Sequence, residues 1–263
     1  YMDASLALAK FYTDNHNISS KIVIMSATLD LAKASKYLGA KNGLELLSKS
    51  FPVDIQYKPL KRNESLQMQI CGHIKEIMKR NEGDILIFMD GAAQIRRTVR
   101  EIQNTISGTR LEVFPLYGEL APESQDHALA PSEKQKIIVS TNLAETSLTI
   151  EGVKFVIDTG VAKKHRFDPY RKINVLLSEP ISKSSAEQRA GRAGRLSPGI
   201  CLRLWSRSEH DRRREFEEPE IQRLDLSEIY LNLASLNVTP GDLDWYESPT
   251  CKQLLEAEKF LVS

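Results

Sequence analysis

Short apolar runs alternate with segments of helical period over most of the chain, and this pattern predicts strands separated by helices. Runs of this length are typical of strands buried on both faces of a parallel sheet. The alternation favours an α/β fold with a mostly parallel sheet. The predicted strands are Asp84–Met89, Leu111–Leu116, Lys136–Ser140, Val153–Asp158 and Ile200–Trp205. The predicted helices are Gln67–Lys79, Ala92–Ile106, Gln125–Leu129 and Ser185–Leu196, and the second of these has a basic outer face.

The two ends of the chain follow a different pattern. Residues Ala4–Tyr12 and Leu31–Leu38 have helical period, and the apolar run Lys21–Ser26 between them predicts another buried strand. The stretch Phe51–Pro59 is extended and bounded by prolines, which suits either a linker or an edge strand. From Pro219 onward the chain is acidic and helical in pattern, so we expect a new folding unit to begin there.

Composition excludes several classes of protein. The chain has 263 residues, of which 41% are hydrophobic and 27% charged, close to ordinary globular values. No apolar run approaches the ~18 residues of a membrane span, so no membrane association is predicted. The three cysteines are scattered and form no CxxC pair, which argues against a disulfide framework or a zinc site and fits a reducing cytoplasm.

Charge is distributed unevenly along the chain. Residues 161–214 carry 14 Lys/Arg and 5 Asp/Glu, net +9, whereas residues 215–263 carry 3 and 11, net −8. The remaining 160 residues are neutral overall. A basic segment of this density is typical of a surface that binds a polyanion. The alternative is a basic face that pairs with the acidic tail.

The segment Gln188–Arg195 carries the strongest chemical signal. On a continuous helix, Gln188, Arg192 and Arg195 would form one narrow stripe, with Arg189 about 100° away. Guanidinium groups bind phosphate through two parallel hydrogen bonds, so this stripe predicts a phosphate clamp. Arginines in such clamps stabilise the charge that develops during phosphoryl transfer. The alternative is a surface helix held by salt bridges.

Two further features bear on the same helix. Ser184 and Glu187 have the spacing of a capping box, which predicts a helix start at this point. Gly191 and Gly194 each cost roughly 1 kcal/mol of helix stability relative to alanine. We therefore expect the glycines to permit a close backbone approach to another element.

Polar residues also follow several predicted strands. Ser140, Thr141 and Asn142 end one strand and open the segment that runs to Gly152. Ligands of open α/β sheets bind outside the carboxyl ends of the strands, where hydroxyl and backbone N–H groups suit phosphates. The alternative is local capping of a short helix by Thr and Asn. Weaker signals of the same kind are Ser26-Ala-Thr28, Leu86–Ile95 and Pro115–Leu120.

The sequence contains no G-x-x-x-x-G-K-[ST] loop, and its histidines do not have metal-site spacing. A clamp for nucleotide phosphates needs a partner that cradles them, and that partner is absent from this sequence. These residues therefore predict only half of a nucleotide site, with no metal ligands.

Taken in their order along the chain, five segments resemble the second half of the motor core of a DEAH-box RNA helicase of superfamily 2. They are Ser26–Thr28, Leu86–Ile95, Pro115–Leu120, Val139–Gly152 and Gln188–Arg195. The stretch from Arg195 to Ser206, followed by Glu218–Ile221, is similar to the bacterial HrpB branch. The resemblance implies a RecA-like, mostly parallel sheet with flanking helices, plus a partial helical winged-helix segment. It implies that residues 1–50 end a first RecA-like domain, 51–66 form a linker, 67–206 form the second RecA-like (helicase C-terminal) domain, and 207–263 form a linker and the start of a winged helix.

The resemblance also implies an activity. In the family, ATP with Mg²⁺ binds between two RecA-like domains, RNA lies across both, and hydrolysis is coupled to 3'-5' translocation or unwinding. The piece alone is expected to be inactive, because both cofactors need the first domain. Expected partners are single-stranded or structured RNA and an activating protein, in the cytoplasm. The alternative is a non-catalytic RNA-binding or partner-docking module derived from a helicase.

Site residues follow by position from the same resemblance. Residues matching the family's phosphate and nucleotide positions are Gln188, Arg192 and Arg195, assigned as catalytic, with Thr149 and Glu151. The residues that match the family's RNA contacts are Gly91, Gly118, Thr141, Asn142, Lys163, Lys164 and Arg166. The last three lie in a predicted hairpin over 163–177, which matches a strand-separating wedge in the family. Ser26 and Thr28 match the motif that couples hydrolysis to domain movement.

Three positions depart from the family pattern. Gln94 stands where many members have Glu, and Glu151 stands where many have Asp. Leu129 falls near a position that is aromatic and stacks on adenine in several members. Little discrimination among nucleoside triphosphates is therefore expected.

Overall fold

A computed structural model describes residues 2–15, 21–26, 30–40, 43–46, 50–79, 83–106, 111–146, 148, 150–168 and 170–262. Within these ranges, six strands form one sheet and two form a hairpin. The strands are β1 Val53–Tyr57, β2 Asp84–Phe88, β3 Leu111–Leu116, β4 Gln135–Ser140, β5 Val153–Asp158, β6 Val161–Asp168, β7 Ile173–Pro180 and β8 Gly199–Arg203.

The sheet has the order β1-β8-β5-β2-β4-β3, and every pairing in it is parallel. This confirms the predicted RecA-like α/β class. Strands β6 and β7 form the separate two-stranded hairpin. The central strands are apolar runs whose side chains are buried on both faces, as in Ile85, Leu86 and Ile87 of β2.

Helices connect the strands at nearly the predicted positions. They are α1 Met2–Asn15, α2 Leu31–Leu38, α3 Leu66–Met78, α4 Ala92–Thr105, α5 Pro122–Leu129, α6 Leu143–Thr146, α7 Lys183–Ala190, α8 Arg207–Asp211, α9 Ser227–Ser235 and α10 Cys251–Val262. Short 3-10 turns lie at Glu220–Gln222 and Pro240–Asp242. None of the described helices is long and apolar enough to cross a membrane.

The chain divides into two compact units. One contains residues 48–164 and 178–217, and therefore the whole six-stranded sheet. One face of this sheet packs on α3 and α4 through residues such as Ile74 and Ile95, and the other packs on α6 and α7 through Ala144 and Ala190. The sheet unit thus has an apolar core on each side.

The second unit contains residues 1–47, 165–177 and 218–263. Its core is an apolar cluster that joins α1, α9 and α10 through residues such as Ala7, Leu233 and Ala257. The four domains expected from the sequence are not tested by this division, and their boundaries stay predictions.

The structure corrects the prediction for Lys21–Ser26. No strand forms there, and the side chains of Val23 and Met25 are 76% and 88% exposed. A strand buried on both faces needs a neighbour on each side, and all six strands of the described sheet come from residues 53–203. The apolar run therefore has no sheet to join within the described residues.

The stretch Phe51–Pro59 adopts one of its two expected forms. Residues Val53–Tyr57 form β1, which pairs with β8 on one side only. They are therefore an edge strand of the sheet, which explains why prolines are tolerated at both ends of this stretch.

Candidate functional site

The carboxyl ends of four neighbouring strands carry most of the predicted RNA contacts. Because the strands are parallel, the loops after β3, β4, β2 and β5 follow one another along a single edge, which we call the carboxyl edge. Backbone hydrogen bonds hold the loops in this order. They run from Thr141 N to Leu116 O (3.2 Å), from Met89 N to Ser140 O (2.8 Å) and from Thr159 N to Phe88 O (3.3 Å).

Gly91 and Lys163 meet at this edge. A Cβ atom on Gly91 would lie 2.9 Å from Cε and 3.1 Å from Nζ of Lys163, so the lysine stem lies across bare backbone. Beside them, Ser178 Oγ donates to Asp90 Oδ2 at 2.6 Å and fixes the base of the hairpin to the loop after β2. Two of the predicted RNA residues are therefore brought into contact.

Gly118, Thr141 and Asn142 lie farther along the carboxyl edge. Gly118 is exposed, and a Cβ atom added to it would meet no described neighbour within 4 Å. Asn142 is also exposed, whereas Thr141 is half-buried and its Oγ1 accepts a hydrogen bond from Leu143 N at 3.3 Å. Local capping of a short helix, the alternative for Thr141, is thus present in the structure.

Lys164 and Arg166 are engaged by acidic residues. Lys164 forms an ion pair with Glu217 and donates to Pro180 O at 2.9 Å, while Arg166 forms an ion pair with Glu218. Lys183 pairs with Glu215 at 3.2 Å. The alternative interpretation of the charge pattern, in which the basic segment pairs with acidic residues after 214, therefore holds for these three cations.

Glu217 shows how firmly one of these acids is held. Burial raises the pKa of its carboxyl, but hydrogen bonds from Lys164 and from Ser182 N (2.7 Å) outweigh this and keep the pKa below its usual value.

Helix α7 is shorter than predicted. It begins after Ser182, whose Oγ accepts from Ser185 N at 3.1 Å, so the predicted capping box at Ser184 is not used. It ends at Ala190, and residues 191–197 form turns and bends. Since glycine is a poor helix former, Gly191 and Gly194 stop the helix and do not continue it. The single stripe of Gln188, Arg192 and Arg195 expected from a continuous helix is therefore wrong.

The predicted close approach at Gly194 is confirmed. A Cβ there would lie 2.6 Å from the carbonyl oxygen of Phe51, and Phe51 N donates to Gly194 O at 2.8 Å. The turn after α7 thus packs directly against the backbone that enters β1.

Glu145 joins the segment after β4 to α7. Its two carboxylate oxygens accept from Ser185 Oγ at 2.8 Å and from Arg189 Nε at 2.9 Å. Its backbone carbonyl accepts from Arg192, whose other terminal nitrogen donates to Leu148 O at 2.7 Å. Three side chains of the α7 segment therefore converge on one residue that lies just after Thr141 and Asn142.

Arg189, whose Nε donates to Glu145, is fully buried. Its guanidinium also pairs with Asp158 at 2.9 Å and lies 4.7 Å from the ring centroid of Phe88. Burial lowers its pKa, but the charges of Asp158 and Glu145 outweigh burial and leave the pKa raised. Arg189 therefore has a structural position.

Arg192 and Arg195 have different surroundings. Arg192 is buried, and its pKa falls to about 10 because of burial and, second, the positive charge of Arg195. Arg195 is exposed and precedes β8, while Glu151 is exposed and precedes the neighbouring strand β5. Arg195 and Glu151 therefore lie toward the amino edge of the sheet, about 20 Å from the carboxyl edge for strands of six residues. The guanidinium of Arg192 instead reaches the carbonyls of Glu145 and Leu148 in the segment after β4.

The structure shows less about the other predicted site residues. Ser26 is exposed and lies outside any strand. Thr28 and Thr149 lie outside the described residues. No group of three or more His, Cys, Asp or Glu able to hold a metal ion occurs in the part of the chain that the structure describes.

Sequence reasoning missed several charged residues. Glu145 and Asp158 hold Arg189, and buried Arg203 donates to Tyr57 Oη at 2.9 Å and to Glu187 Oε1 at 2.7 Å. A signal was present for two of them, since Asp158 and Arg203 each end an apolar strand, where a buried charge requires a partner.

Comparison with known proteins agrees with this architecture. Residues 61–197 match the helicase conserved C-terminal domain. The chain is 41% identical over 251 residues to the ATP-dependent RNA helicase HrpA of Borreliella burgdorferi, covering 92% of this chain and 30% of that protein. It is 34% identical to the ATP-dependent RNA helicase HrpB of Escherichia coli, covering 99% of this chain and 33% of that protein.

A crystal structure of Escherichia coli DEAH/RHA helicase HrpB superimposes with a TM-score of 0.91 at 34% identity, over 99% of this chain and 34% of that one. This chain spans about a third of the length of these relatives. The resemblance to DEAH-box helicases is thereby confirmed, and the chain belongs to the family of helicase conserved C-terminal domains.

Proposed function

We propose that this chain is the part of an ATP-dependent RNA helicase that completes the nucleotide site from one side and forms half of the RNA path. The observation that supports the proposal is that exposed Arg195 and Glu151 precede the neighbouring strands β8 and β5, whereas Gly118, Thr141, Asn142 and Gly91 follow strands at the carboxyl edge. Glu145 contacts the α7 segment from just beyond that edge. The names of the relatives support the activity and the nucleic acid.

On the phosphate side, Arg195 is the group best placed to reach a nucleotide. It is exposed, and its charge lowers the pKa of neighbouring Arg192, so the two cations together favour an anion between them. Arg192 already donates to two backbone carbonyls, so we assign it mainly to holding the segment in place. Gln188, Thr149 and Glu151 complete the proposed contacts to the phosphates and the ribose.

On the RNA side, the strand order places the proposed contacts in one line. Gly118, Thr141, Asn142, Gly91 and Lys163 follow one another along the carboxyl edge. Exposed Gly118 would let a sugar-phosphate backbone approach the main chain closely, whereas Gly91 lies beneath the stem of Lys163, whose charge would face the phosphates. Stepwise movement of RNA along this edge would give the proposed 3'-5' translocation.

Lys164 and Arg166 contribute less to the proposed RNA path, because each would have to exchange a carboxylate partner for a phosphate. Their ion pairs therefore reduce the share of the basic segment that can attract nucleic acid.

ATP with Mg²⁺ would supply the free energy of phosphoryl transfer. The Arg195 side of the sheet fits the phosphates, whereas the described residues offer no cluster for the metal. We assign the metal and the remaining phosphate ligands to other parts of a longer protein, with residues 67–206 as its second RecA-like domain. The proposed setting is the cytoplasm, with an activating protein as a further partner.

The test is RNA-stimulated ATP hydrolysis by the full-length protein that contains this chain. Replacing Arg195 by Ala should lower the stimulated rate by at least about 100-fold, since loss of an arginine that stabilises phosphoryl transfer costs about 10³–10⁵. Arg62→Ala, which removes an exposed arginine from the loop before α3, should leave the rate unchanged.

Two other results would redirect the proposal. RNA binding without any ATP hydrolysis would favour the non-catalytic RNA-binding module. Hydrolysis that is equally fast in Arg195→Ala and Arg62→Ala would remove Arg195 from the phosphate site.

A further inference from the structure

Helix α4 presents the basic outer face expected from its sequence, although the net charge of its region does not reveal it. Arg96, Arg97 and Arg100 are all exposed, and at about 100° per residue they fall within one 100°-wide arc of the helix. Ile95, Thr98 and Ile102 on the other side are buried in the core. This face lies in the stretch of residues 1–160, which is neutral overall, so net charge conceals it.

These arginines differ from several cations of the basic segment in having no acidic partner. Over the described ranges, no carboxylate pairs with Arg96, Arg97 or Arg100. The side chain of Arg96 donates to Tyr117 Oη at 3.3 Å, which is a neutral partner. By contrast, Lys164, Lys183 and Arg189 are all neutralised by carboxylates. Among these six cations, the unneutralised positive charge therefore lies on α4.

The arginine face is continuous with the carboxyl edge. Helix α4 starts directly after Gly91, so Arg96 lies only about 8 Å along the helix from that glycine, and Arg100 about 6 Å farther. Arg96 also reaches Tyr117, the residue before Gly118. The face thus adjoins two residues of the proposed RNA path.

We propose that Arg97 and Arg100, with Arg96 beside them, form an additional phosphate-binding surface on which an RNA strand lies after it leaves the carboxyl edge. This inference rests on the proposed function. Guanidinium groups without acidic partners on a rigid helix bind backbone phosphates without reading the bases, so this surface adds affinity but no sequence preference.

The experiment measures binding of a single-stranded oligouridylate to the full-length protein at several salt concentrations. Each single variant, Arg97→Gln and Arg100→Gln, should lower the slope of log K against log[salt] by about 0.7, the counterion-release value for one single-strand phosphate. At 0.1 M salt this corresponds to about fivefold weaker binding. The matched control Lys134→Gln removes a cation that is already paired with Glu112 and precedes β4, so its slope should not change.

The outcomes separate this inference from the proposed function. Unchanged slopes in both arginine variants, in a protein whose ATP hydrolysis is stimulated by RNA, would overturn the α4 surface alone. A wild-type protein that binds no RNA would overturn both. Unchanged RNA binding together with lost binding of polyglutamate would assign the arginine face to an acidic protein and not to RNA.

Discussion

Arginines occupy two contrasting regions of the sheet unit. Arg189 and Arg192, from the α7 segment, are buried and hold carboxylates and backbone carbonyls. Arg97 and Arg100, on α4, are exposed and meet no carboxylate in the described structure. A high density of basic residues in the sequence therefore does not by itself mean that each of those charges is available to a ligand. Burial and partners, more than residue type, decide whether an arginine stabilises the fold or attracts an anion.

The most direct test of this difference replaces one arginine in each region and measures the stability of both variants. Arg189→Ala should lower the free energy of unfolding by about 3–5 kcal/mol, because it leaves the carboxylates of Asp158 and Glu145 without their buried cation. Arg97→Ala should change it by less than about 0.5 kcal/mol, as expected for a surface substitution. Urea unfolding followed by tryptophan fluorescence measures both.

Equal losses of stability in Arg189→Ala and Arg97→Ala would contradict the comparison. A third variant keeps the result interpretable if Arg189→Ala does not fold. Arg189→Lys retains a positive charge but cannot contact both carboxylates with the fork of a guanidinium, so its loss should be intermediate.

How much was predictable from the sequence differs between these regions. The apolar strands of the sheet were predictable, because burial on both faces leaves a run of Ile, Val and Leu that needs no knowledge of partners. The conformation after Ala190 was not, since the helical pattern continues through Gly191 and Gly194 and only the backbone of Phe51 shows why the chain turns there.

The candidate site was predictable in part for a related reason. Parallel strands bring their carboxyl ends to one edge, so Thr141 and Asn142 could be expected there from the sequence, whereas their grouping with Gly91 came from the resemblance to the helicase family. The partners of Lys164 and Arg166 depend on acidic residues about 50 positions away, and no local pattern specifies such pairings. The basic outer face of α4 followed from the helical period of residues 92–106, whereas the lack of carboxylate partners for it among the described residues could be recognised only in the structure.

Two glycines provide a second, smaller test of the buried and exposed regions. Gly194→Ala should cost about 1–3 kcal/mol of stability, because its Cβ would lie 2.6 Å from the rigid carbonyl of Phe51. Gly118→Ala at the carboxyl edge should cost less than about 0.5 kcal/mol, since the structure shows nothing described within 4 Å of the added atom. Thermal or urea unfolding compares the two, and a larger loss for Gly118→Ala would be inconsistent with the packing described above.

The smallest expected effect concerns pH and the buried cations. His210 is buried, and burial, followed by the charge of Arg203, lowers the pKa of its imidazole below the ordinary value of 6.5. The folded protein therefore keeps His210 neutral, whereas the unfolded chain takes up a proton near pH 6.5. This uptake favours unfolding, so the stability associated with the neutral imidazole is present above about pH 6.5 and is lost as the pH falls below it.

Replacing His210 by Gln removes this titration. The difference in free energy of unfolding between the wild type and His210→Gln should therefore shrink as the pH is lowered from about 7.5 to about 5. Subtracting the variant from the wild type cancels the titration of all other groups. A difference for His210→Gln that does not vary with pH would mean that neither burial nor the positive charges of Arg203, Arg207 and Arg213 lower the pKa of this imidazole in the folded protein.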